Sequence, residues 1–227
     1  MSSNMLKKML EDGATSLGIR LTEGMIASFL LYLSELKAWN KKINLTAITD
    51  DEDIIKKHFL DSLTVYPYIN HVAGNTLLDI GAGAGFPGIP LKIIDPSLDV
   101  LLMDSVQKKV HFIRHIIRTL ALEGKDPAKK GIDAIAARVE DRSIIERYRG
   151  RFDTVTSRAF SSLGDFVASA LPYCRTGGMI VAIKGPAAQK ELEEAQGVIS
   201  GLSAPEILEV RVPMTDRTNT IIKFRKN

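Results

Sequence analysis

Cysteine is almost missing from this chain: Cys174 is the only one among 227 residues. A single thiol excludes an internal disulfide, and it excludes zinc and iron–sulfur sites built from several cysteines. Disulfides are typical of oxidising compartments, so their absence favours a reducing, cytoplasmic location. We interpret Cys174 itself as a small core residue within an apolar helix.

Long hydrophobic runs are missing as well. The longest apolar stretch, 26–33, contains a serine and is far shorter than the roughly 20 residues of a membrane span. The first residues read MSSNMLKKMLEDG, so acidic side chains arrive before a signal-like apolar segment has formed. We therefore expect no membrane span. Hydrophobic residues still make up 45% of the chain, which excludes a mostly disordered protein.

The chain has little excess charge of either sign, since 30 basic and 27 acidic residues give a net charge of +3. The basic residues are concentrated, however. Residues 105–151 hold twelve Lys or Arg and six Asp or Glu, a local net charge of +6. Such a cluster indicates an anionic macromolecular partner, because it can displace counterions from phosphates. A solvated helix face without a partner is the alternative that charge alone leaves open.

The pattern of apolar residues divides the chain into a helical region, 1–70, and an alternating region, 71–227. In the helical region Ser3 and Thr22 are predicted helix caps, and a third helix is predicted from Asp50 to Tyr66. In the alternating region short strands are predicted at 76–80, 98–103, 132–136, 152–157, 178–183, 206–212 and 217–225. Helices are predicted at 88–94, 105–121, 139–148, 164–174 and 187–201.

Strands that alternate with helices favour an α/β fold with a mostly parallel sheet covered on both faces. The last two predicted strands are joined by Pro213–Asp216, with no helix between them. They therefore predict an antiparallel hairpin at the end of a seven-stranded sheet. The helical region 1–70 is expected to pack on this α/β domain.

The predicted helix 105–121 separates apolar from charged side chains. Its buried stripe is predicted to consist of Val106, Val110, Ile113, Ile117 and Leu120. Its basic residues, candidates for binding an anionic partner, are Lys108, Lys109, Arg114 and Arg118. We interpret the two histidines on the helix, His111 and His115, as surface residues. Because no third ligand is placed near them, we expect no metal site.

The most informative segment is the glycine-rich string DIGAGAGFPG, which runs from Asp79 to Gly88 between a predicted strand and a predicted helix. Gly81, Gly83 and Gly85 permit positive φ and leave no Cβ to obstruct a ligand lying on the backbone. The helix that follows presents free N–H groups to the turn. In an open parallel sheet, ligands bind at the carboxyl ends of the strands.

Two cofactors fit this turn. From Gly83 onward the string satisfies the dinucleotide fingerprint, and Asp104 follows about 20 residues later. From Asp79 onward it matches the acid–x–Gly–x–Gly–x–Gly loop of S-adenosylmethionine (SAM) methyltransferases. In both cases Asp104 would accept hydrogen bonds from ribose hydroxyls. The acid at position 79, the lack of a Tyr-x-x-x-Lys pair and the terminal hairpin favour SAM over an NAD-dependent oxidoreductase.

Several longer blocks resemble one known family, the ribosomal small-subunit methyltransferase G family, also called glucose-inhibited division protein B. In order along the chain these blocks are WNKKINLT (39–46), HFLDS (58–62), DIGAGAGFPGIPL (79–91), MDSVQKKVHFI (103–113), RVED (138–141), FDTVTSRAFSSL (152–163) and IKG (183–185). Where the family often has Arg before the histidine of HxLDS, this chain has Lys57, which keeps the charge but loses the bidentate fork.

The resemblance implies a class I SAM-dependent methyltransferase with a Rossmann-like fold that methylates guanine N7 in 16S rRNA, at the hairpin loop near the decoding centre. It implies that the small ribosomal subunit is the partner, and we expect a monomer. Transferred position by position, the family's cofactor contacts fall on Gly81, Phe86, Val139, Glu140 and Arg158. The alternatives are a SAM- or nucleotide-binding protein that binds RNA without catalysis and, less favoured, an NAD-dependent oxidoreductase.

Guanine N7 carries a lone pair and no proton, so the reaction needs positioning rather than a general base. The residues after the fourth predicted strand, SRAF (157–160), agree, because they lack the Asn-Pro-Pro-Tyr type of loop used on amino groups. Asp79 is expected to orient the loop and the methionine end of SAM. Arg158 is expected to bind the cofactor carboxylate, guanine O6 or a phosphate. Phe160 is a candidate for stacking on a base, and Lys184 for contacting the RNA backbone.

Overall fold

A seven-stranded sheet forms the centre of the computed structural model, which describes residues 2–69, 74–123, 131–158, 160–199 and 201–227. The strands are β1 (Thr76–Ile80), β2 (Asp99–Asp104), β3 (Ile132–Ala136), β4 (Phe152–Arg158), β5 (Cys174–Lys184), β6 (Glu206–Arg211) and β7 (Thr218–Arg225). Their order in the sheet is β3-β2-β1-β4-β5-β7-β6. Strand β7 pairs antiparallel with both neighbours, while β1 to β5 are parallel. The predicted sheet with its terminal hairpin is confirmed.

The helices connect these strands much as the sequence predicts. In chain order they are α1 (Ser3–Ser16), α2 (Glu23–Ile43), α3 (Asp51–Ile54), α4 (Asp61–Leu63), α5 (Gly88–Ile94), α6 (Gln107–Thr119), α7 (Arg142–Tyr148), α8 (Leu163–Ala170) and α9 (Ala188–Glu194). Several are shorter than predicted. Helix α7 begins later because Asp141 caps it, its carboxylate accepting the Ser143 N–H at 2.9 Å.

The assignment of Cys174 to a helix is wrong. Helix α8 ends at Ala170, and Cys174 is the first residue of β5, where it pairs with Phe152. The reason is Pro172, which lacks an N–H group and cannot continue a helix. Cys174 is nevertheless fully buried, as expected of a core residue.

In the helical region the two predicted caps differ. Thr22 caps α2, its hydroxyl accepting the Met25 N–H at 3.3 Å. Ser3 is the first residue of α1 rather than its cap. The predicted helix from Asp50 to Tyr66 is observed as α3, a π-helical stretch (Ile55–Leu60) and α4 in direct succession. Single π-helical turns inside helices often occur at functional sites.

Two hydrophobic layers cover the sheet. Side chains of α1, α2, α5 and α6 share one core with residues of β1 and β2, and side chains of α8 pack on the opposite face. The helical region therefore packs against the same layer as the helices that follow the glycine-rich turn. The predicted domain boundary at 70/71 lies outside the described residues, so the division at that point stays a prediction.

The buried stripe of α6 differs in part from the prediction. Val110, Ile113 and Ile117 are buried as expected. Val106 is 43% exposed because it precedes the first turn of the helix, and Leu120 is half-buried behind its end. Phe112 and Ile116 complete the buried face instead: Phe112 contacts Trp39 of α2 at 5.6 Å between ring centroids.

No helix in the described ranges has the length and apolarity to cross a bilayer.

Candidate cofactor and substrate site

The glycine-rich turn lies at the carboxyl end of β1, where the strand order reverses between β1 and β4. Gly81, Gly83 and Gly85 have φ values of +72°, +60° and +98°, the left-handed region that glycine occupies without strain. This reversal of strand order is the place where open parallel sheets bind ligands. The backbone conformation of the turn and its position in the sheet are therefore those of a ligand-binding loop.

Two of these glycines are needed for different reasons. A Cβ added to Gly81 would meet no atom within 4 Å, so Gly81 borders open space. A Cβ added to Gly85 would lie 2.4 Å from Ile89 Cδ1 and 2.8 Å from the Tyr32 hydroxyl. Gly81 is therefore available to a ligand, whereas Gly85 permits close packing between the turn and helix α2.

Asp104, the last residue of β2, holds the turn in place. Its Oδ2 accepts the Gly83 N–H at 2.9 Å, and its Oδ1 accepts the Val106 N–H at 2.8 Å. Each carboxylate oxygen can accept more than one hydrogen bond, so Asp104 keeps acceptor capacity for ribose hydroxyls. Lys109 lies near it, with Nζ 4.0 Å from Oδ2.

A cleft of about 350 Å³ opens beside these residues, and we call it the Asp104 cleft. It is lined by Gly81, Asp104, Val139, Glu140 and Phe160, among others. The structure thus brings together residues from the ends of β1, β2, β3 and β4 that the sequence assigned to cofactor or base binding. Val139 is largely buried, its carbonyl accepting the Tyr173 hydroxyl at 2.7 Å, whereas Glu140 is exposed.

Asp79 lies behind the turn rather than in the Asp104 cleft. It is fully buried, and its Oδ2 accepts the N–H of Gly88 at 2.9 Å. Its Oδ1 has no hydrogen-bond partner among the described residues. Burial raises the pKa of Asp79 to about 7. Because Asp79 is fully buried, it acts on the turn through its hydrogen bond to Gly88, and a direct contact with the methionine end of a cofactor stays a prediction.

Phe86 also lies behind the turn, with only 3% of its surface exposed. Its ring stacks on His58 at 4.7 Å and on Tyr32 at 5.4 Å, and the Arg158 guanidinium lies over it at 5.0 Å. It is not among the residues lining the Asp104 cleft. In this structure Phe86 supports the turn from the helical side, and a direct cofactor contact stays a prediction.

Arg158 lines a second, larger cleft of about 910 Å³, which we call the Arg158 cleft. His58, Asp61, Lys184 and Arg217 line it too. The guanidinium of Arg158 donates to Asp61 Oδ2 at 2.9 Å and approaches His58 Nδ1 at 3.1 Å. Arg158 is thus placed apart from Asp104 and Glu140, with which the resemblance groups it.

Sequence reasoning gave no role to His58 and Asp61, although both belong to the HFLDS block. Both are largely buried, with 9% and 3% of their surfaces exposed. Polar residues within an otherwise apolar helical stretch were the available signal, because a buried polar group needs a partner. That partner, Arg158, lies about a hundred positions further along the chain.

The predicted RNA-binding residues of α6 differ in exposure. Lys108 and Arg118 are exposed, while Lys109 is half-buried near Asp104. Arg114 donates from Nε and Nη2 to the Ala134 carbonyl, at 3.0 and 2.7 Å, which ties α6 to β3. Part of the basic region, residues 124–130, lies outside the described residues. Lys108 and Arg118 are the two residues of this set most accessible to RNA.

Lys184 and Phe160 are coupled to each other. Lys184 is 7% exposed, pairs with Glu191 at 2.7 Å and donates to the Phe160 carbonyl at 3.1 Å. The Lys184 ammonium group is therefore paired inside the protein, where it holds the loop after β4. Contact with an RNA phosphate would require Lys184 to separate from Glu191. The Phe160 ring packs against Phe166 with centroids 5.8 Å apart.

Within the described ranges no group of three or more His, Cys, Asp or Glu side chains could hold a metal ion. Of the two histidines on α6, His111 is exposed as expected. His115 is instead half-buried, with Nε2 2.6 Å from Glu35 Oε2 on α2.

Comparison with known proteins identifies the family. The family model described as rRNA small subunit methyltransferase G (GidB) matches residues 25–215 of the chain. The chain belongs to this family. The match includes the glycine-rich turn, the carboxyl ends of β1 to β5 and the HFLDS block. The resemblance seen in the sequence is therefore confirmed. The interpretation of the turn as a binding loop for a methyl donor is confirmed with it.

Individual relatives agree. Ribosomal RNA small subunit methyltransferase G of Geotalea uraniireducens is 41% identical over 222 residues, covering 97% of this chain and 96% of the relative. The protein of the same name from Clostridium tetani is 38% identical over 220 residues, covering 96% and 89%. Among solved structures, a predicted O-methyltransferase from Agrobacterium tumefaciens is similar with a TM-score of 0.55 at 21% identity, covering 74% of this chain and 79% of that one. This last similarity concerns the fold, a class I methyltransferase fold.

Proposed function

We propose that this chain transfers the methyl group of SAM to N7 of a guanine in 16S rRNA, in the hairpin loop near the decoding centre of the small ribosomal subunit. The observation that carries the proposal is the Asp104 cleft, in which Gly81, Asp104 and Glu140 meet at the carboxyl ends of parallel strands in a member of an rRNA methyltransferase family. We propose further that the chain acts in the cytoplasm as a monomer.

The residues present fit SAM. When bound, SAM supplies a methyl carbon attached to a positively charged sulfur. Asp104 has the acceptor capacity to hold ribose hydroxyls, and Gly81 leaves open space beside it. Asp79 orients the loop from behind, through its hydrogen bond to Gly88. Val139 and Glu140 border the part of the cleft that we assign to the adenine.

The Arg158 cleft fits an acceptor that needs no base. Burial lowers the pKa of His58 to about 3, and both ring nitrogens are within 3.1 Å of a partner, so His58 is not free to remove a proton. Both carboxylate oxygens of Asp61 accept hydrogen bonds as well. This agrees with guanine N7, whose lone pair can attack without losing a proton. The chain's own contribution is then to orient the two reactants.

RNA binding is assigned to the exposed basic residues. Lys108 and Arg118 are exposed on α6, and Arg217 is exposed at the Arg158 cleft. Cations at such positions bind phosphates without reading the sequence, so they place the RNA while the cleft selects the base.

The test is methyl transfer from labelled SAM to small ribosomal subunits and to naked 16S rRNA, taken from cells that lack this protein. We expect one labelled guanine, mapped to the decoding-centre hairpin and sensitive to chemical cleavage at N7-methylguanine. Binding of SAM and RNA without methyl incorporation into either substrate would favour the non-catalytic alternative. Tight NAD binding in place of SAM would overturn the proposal. Light scattering measures the molar mass of the purified chain in solution and so tests whether it is a monomer.

A further inference from the structure

A continuous line of hydrogen bonds joins two blocks of the helical region to Arg158. It begins at Asn40, whose side chain accepts the N–H groups of Leu45 and Thr46 at 2.6 and 2.9 Å. The Thr46 hydroxyl lies 2.7 Å from His58 Nε2, and His58 Nδ1 lies 3.1 Å from Arg158 Nη2. The hydrogen bonds thus run from Asn40 of the WNKKINLT block through His58 of the HFLDS block to Arg158, which gives both blocks a structural role.

The partners of His58 determine its tautomer. A guanidinium can only donate, so the contact of Arg158 with His58 is a hydrogen bond in the tautomer whose Nδ1 carries no proton. The neutral ring then holds its proton on Nε2 and donates it to the Thr46 hydroxyl. Burial, together with the Arg158 charge, lowers the pKa of His58 to about 3, which keeps the Nδ1 lone pair available at neutral pH.

Asp61 fixes Arg158 from a second side. Its Oδ2 accepts from Arg158 Nη1 at 2.9 Å, and its Oδ1 accepts from the Asn219 amide at 3.0 Å. Arg158 Nη1 also donates to the Lys57 carbonyl at 3.1 Å, and the Phe86 ring lies beneath the guanidinium. Helix α4, the end of β4 and the start of β7 therefore meet at one partly buried ion pair.

These contacts leave part of the guanidinium unused. Three of its five N–H groups donate to His58, Asp61 and Lys57, so the Nε–H and one Nη2–H have no partner among the described residues. Arg158 lines its cleft with 18% of its side chain exposed. Two N–H groups in one fixed plane match two oxygens of a carboxylate or a phosphate, which arginine binds in a bidentate manner.

We propose that His58 and Asp61 are positioning residues that hold the Arg158 guanidinium ready for an oxyanion of the reactants. This inference rests on the proposed function, which supplies two oxyanions: the carboxylate of SAM and a phosphate next to the target guanine. A bidentate contact to the O6 and N7 of guanine is excluded, because N7 must remain free to accept the methyl group. The fixed orientation matters because a freely rotating arginine would lose conformational entropy whenever it bound.

The experiment compares Asp61→Asn, His58→Gln and Arg158→Ala with the wild type. Ser62→Ala is the matched control, since Ser62 is as buried, lies in the same block and donates only to the His58 carbonyl. Calorimetry measures binding of S-adenosylhomocysteine, which has the carboxylate, and of methylthioadenosine, which lacks it. Steady-state kinetics measures the KM for small subunits separately from kcat.

If the oxyanion is the cofactor carboxylate, Asp61→Asn weakens S-adenosylhomocysteine binding about tenfold and leaves methylthioadenosine binding unchanged. If it is an RNA phosphate, both cofactor analogues bind normally and the KM for small subunits rises about tenfold. In either case His58→Gln shifts the same quantity in the same direction, and combining Asp61→Asn with Arg158→Ala adds little to Arg158→Ala alone.

The inference is overturned if both variants bind every ligand like the wild type, if methylthioadenosine binding falls as much as S-adenosylhomocysteine binding, or if Ser62→Ala gives the same losses. His58→Gln carries the test should Asp61→Asn not fold, because it removes only one of the contacts to Arg158. A wild-type protein that binds neither analogue would contradict the proposed function itself. Failure of the proposed function is therefore distinguishable from failure of the positioning role of His58 and Asp61.

Discussion

The hydroxyl of Tyr32, on helix α2, donates a hydrogen bond to the carbonyl of Ala84 in the glycine-rich turn. Tyr32 is fully buried, and its ring stacks on Phe59 and Phe86, with centroids 5.2 and 5.4 Å away. Gly85 permits this approach, since any Cβ there would crowd the Tyr32 hydroxyl. The helical region is therefore part of the support of the turn, and we expect it to influence cofactor binding through this contact.

Replacing Tyr32 by Phe should weaken cofactor binding. The change leaves the buried Ala84 carbonyl without a partner, which costs about 1–3 kcal/mol of folding free energy and loosens the turn. We expect a lower midpoint of denaturant unfolding and a several-fold higher Kd for S-adenosylhomocysteine. Tyr148→Phe is the control, because within the described residues Tyr148 makes its side-chain contacts through its ring, with Phe152 and Arg147. Equal effects of the two variants would contradict the coupling between α2 and the turn.

Alanine substitutions at two glycines of the turn should differ in their effects: Gly85→Ala should mainly lower folding stability, and Gly81→Ala should mainly weaken cofactor binding. Gly85→Ala introduces a Cβ 2.4 Å from Ile89 Cδ1 at a φ of +98°, so it should destabilise the fold by about 1–3 kcal/mol or more. Gly81→Ala meets no protein atom and should cost only about 1–2 kcal/mol from its positive φ. Its methyl group would enter the open space in which we propose that the cofactor binds, so the affinity for S-adenosylhomocysteine should fall more than the folding stability. Thermal unfolding and calorimetry on the two proteins check this difference.

Asp104→Ala and Lys108→Ala should separate cofactor binding from RNA binding. Asp104 contacts the turn and borders the Asp104 cleft, where we propose that the cofactor binds, so its loss should weaken S-adenosylhomocysteine binding by about tenfold or more. Lys108 is an exposed cation on α6, so its loss should weaken RNA binding and lower the salt slope of that binding by about one. Filter binding at several salt concentrations measures the second effect. The division of roles fails if each variant affects both ligands alike.

Asp79 should make folding stability depend on pH. Burial raises the pKa of Asp79 from 3.8 to about 7, so the folded protein holds this proton more tightly than the unfolded chain. Below about pH 4 the neutral form of Asp79 makes its full contribution to the free energy of unfolding. This contribution falls as the pH rises from about 4 to 7, and above pH 7 it no longer changes. Against Asp79→Asn, the wild type should therefore lose up to about 1.4 kcal/mol per pH unit within this window. Urea unfolding at pH 5, 6, 7 and 8 provides the comparison, and a pH-independent difference would refute the assignment.

Local patterns allowed most of the fold to be predicted. Alternating apolar segments located the strands, and β1 and β3 begin and end at the predicted residues. The turn from Asp79 to Gly88 was recognisable because its glycines are close together in the sequence. Errors arose where local signals conflicted, as at Pro172, which ends α8 before the predicted helix is complete.

The supporting contacts of the site could not be predicted, because they depend on tertiary packing. Tyr32 reaches Ala84 across 52 positions, and Asp61 reaches Arg158 across 97. Lys184 followed the expected pattern of a basic residue at a strand end, yet Glu191 neutralises it in the interior. Residues that face a ligand are signalled by chemical type and motif, whereas residues that orient them become recognisable only in three dimensions.

The contact between Asp61 and Asn219 spans 158 positions, so it joins the helical region to the last strand of the sheet. A contact this distant along the polypeptide closes a large loop, which costs chain entropy. Strand β7 lies between β5 and β6, so Asn219 reaches Asp61 only when the terminal hairpin is docked on β5. The hairpin, which is far from the glycine-rich turn in the sequence, thereby supports the residue that pairs with Arg158.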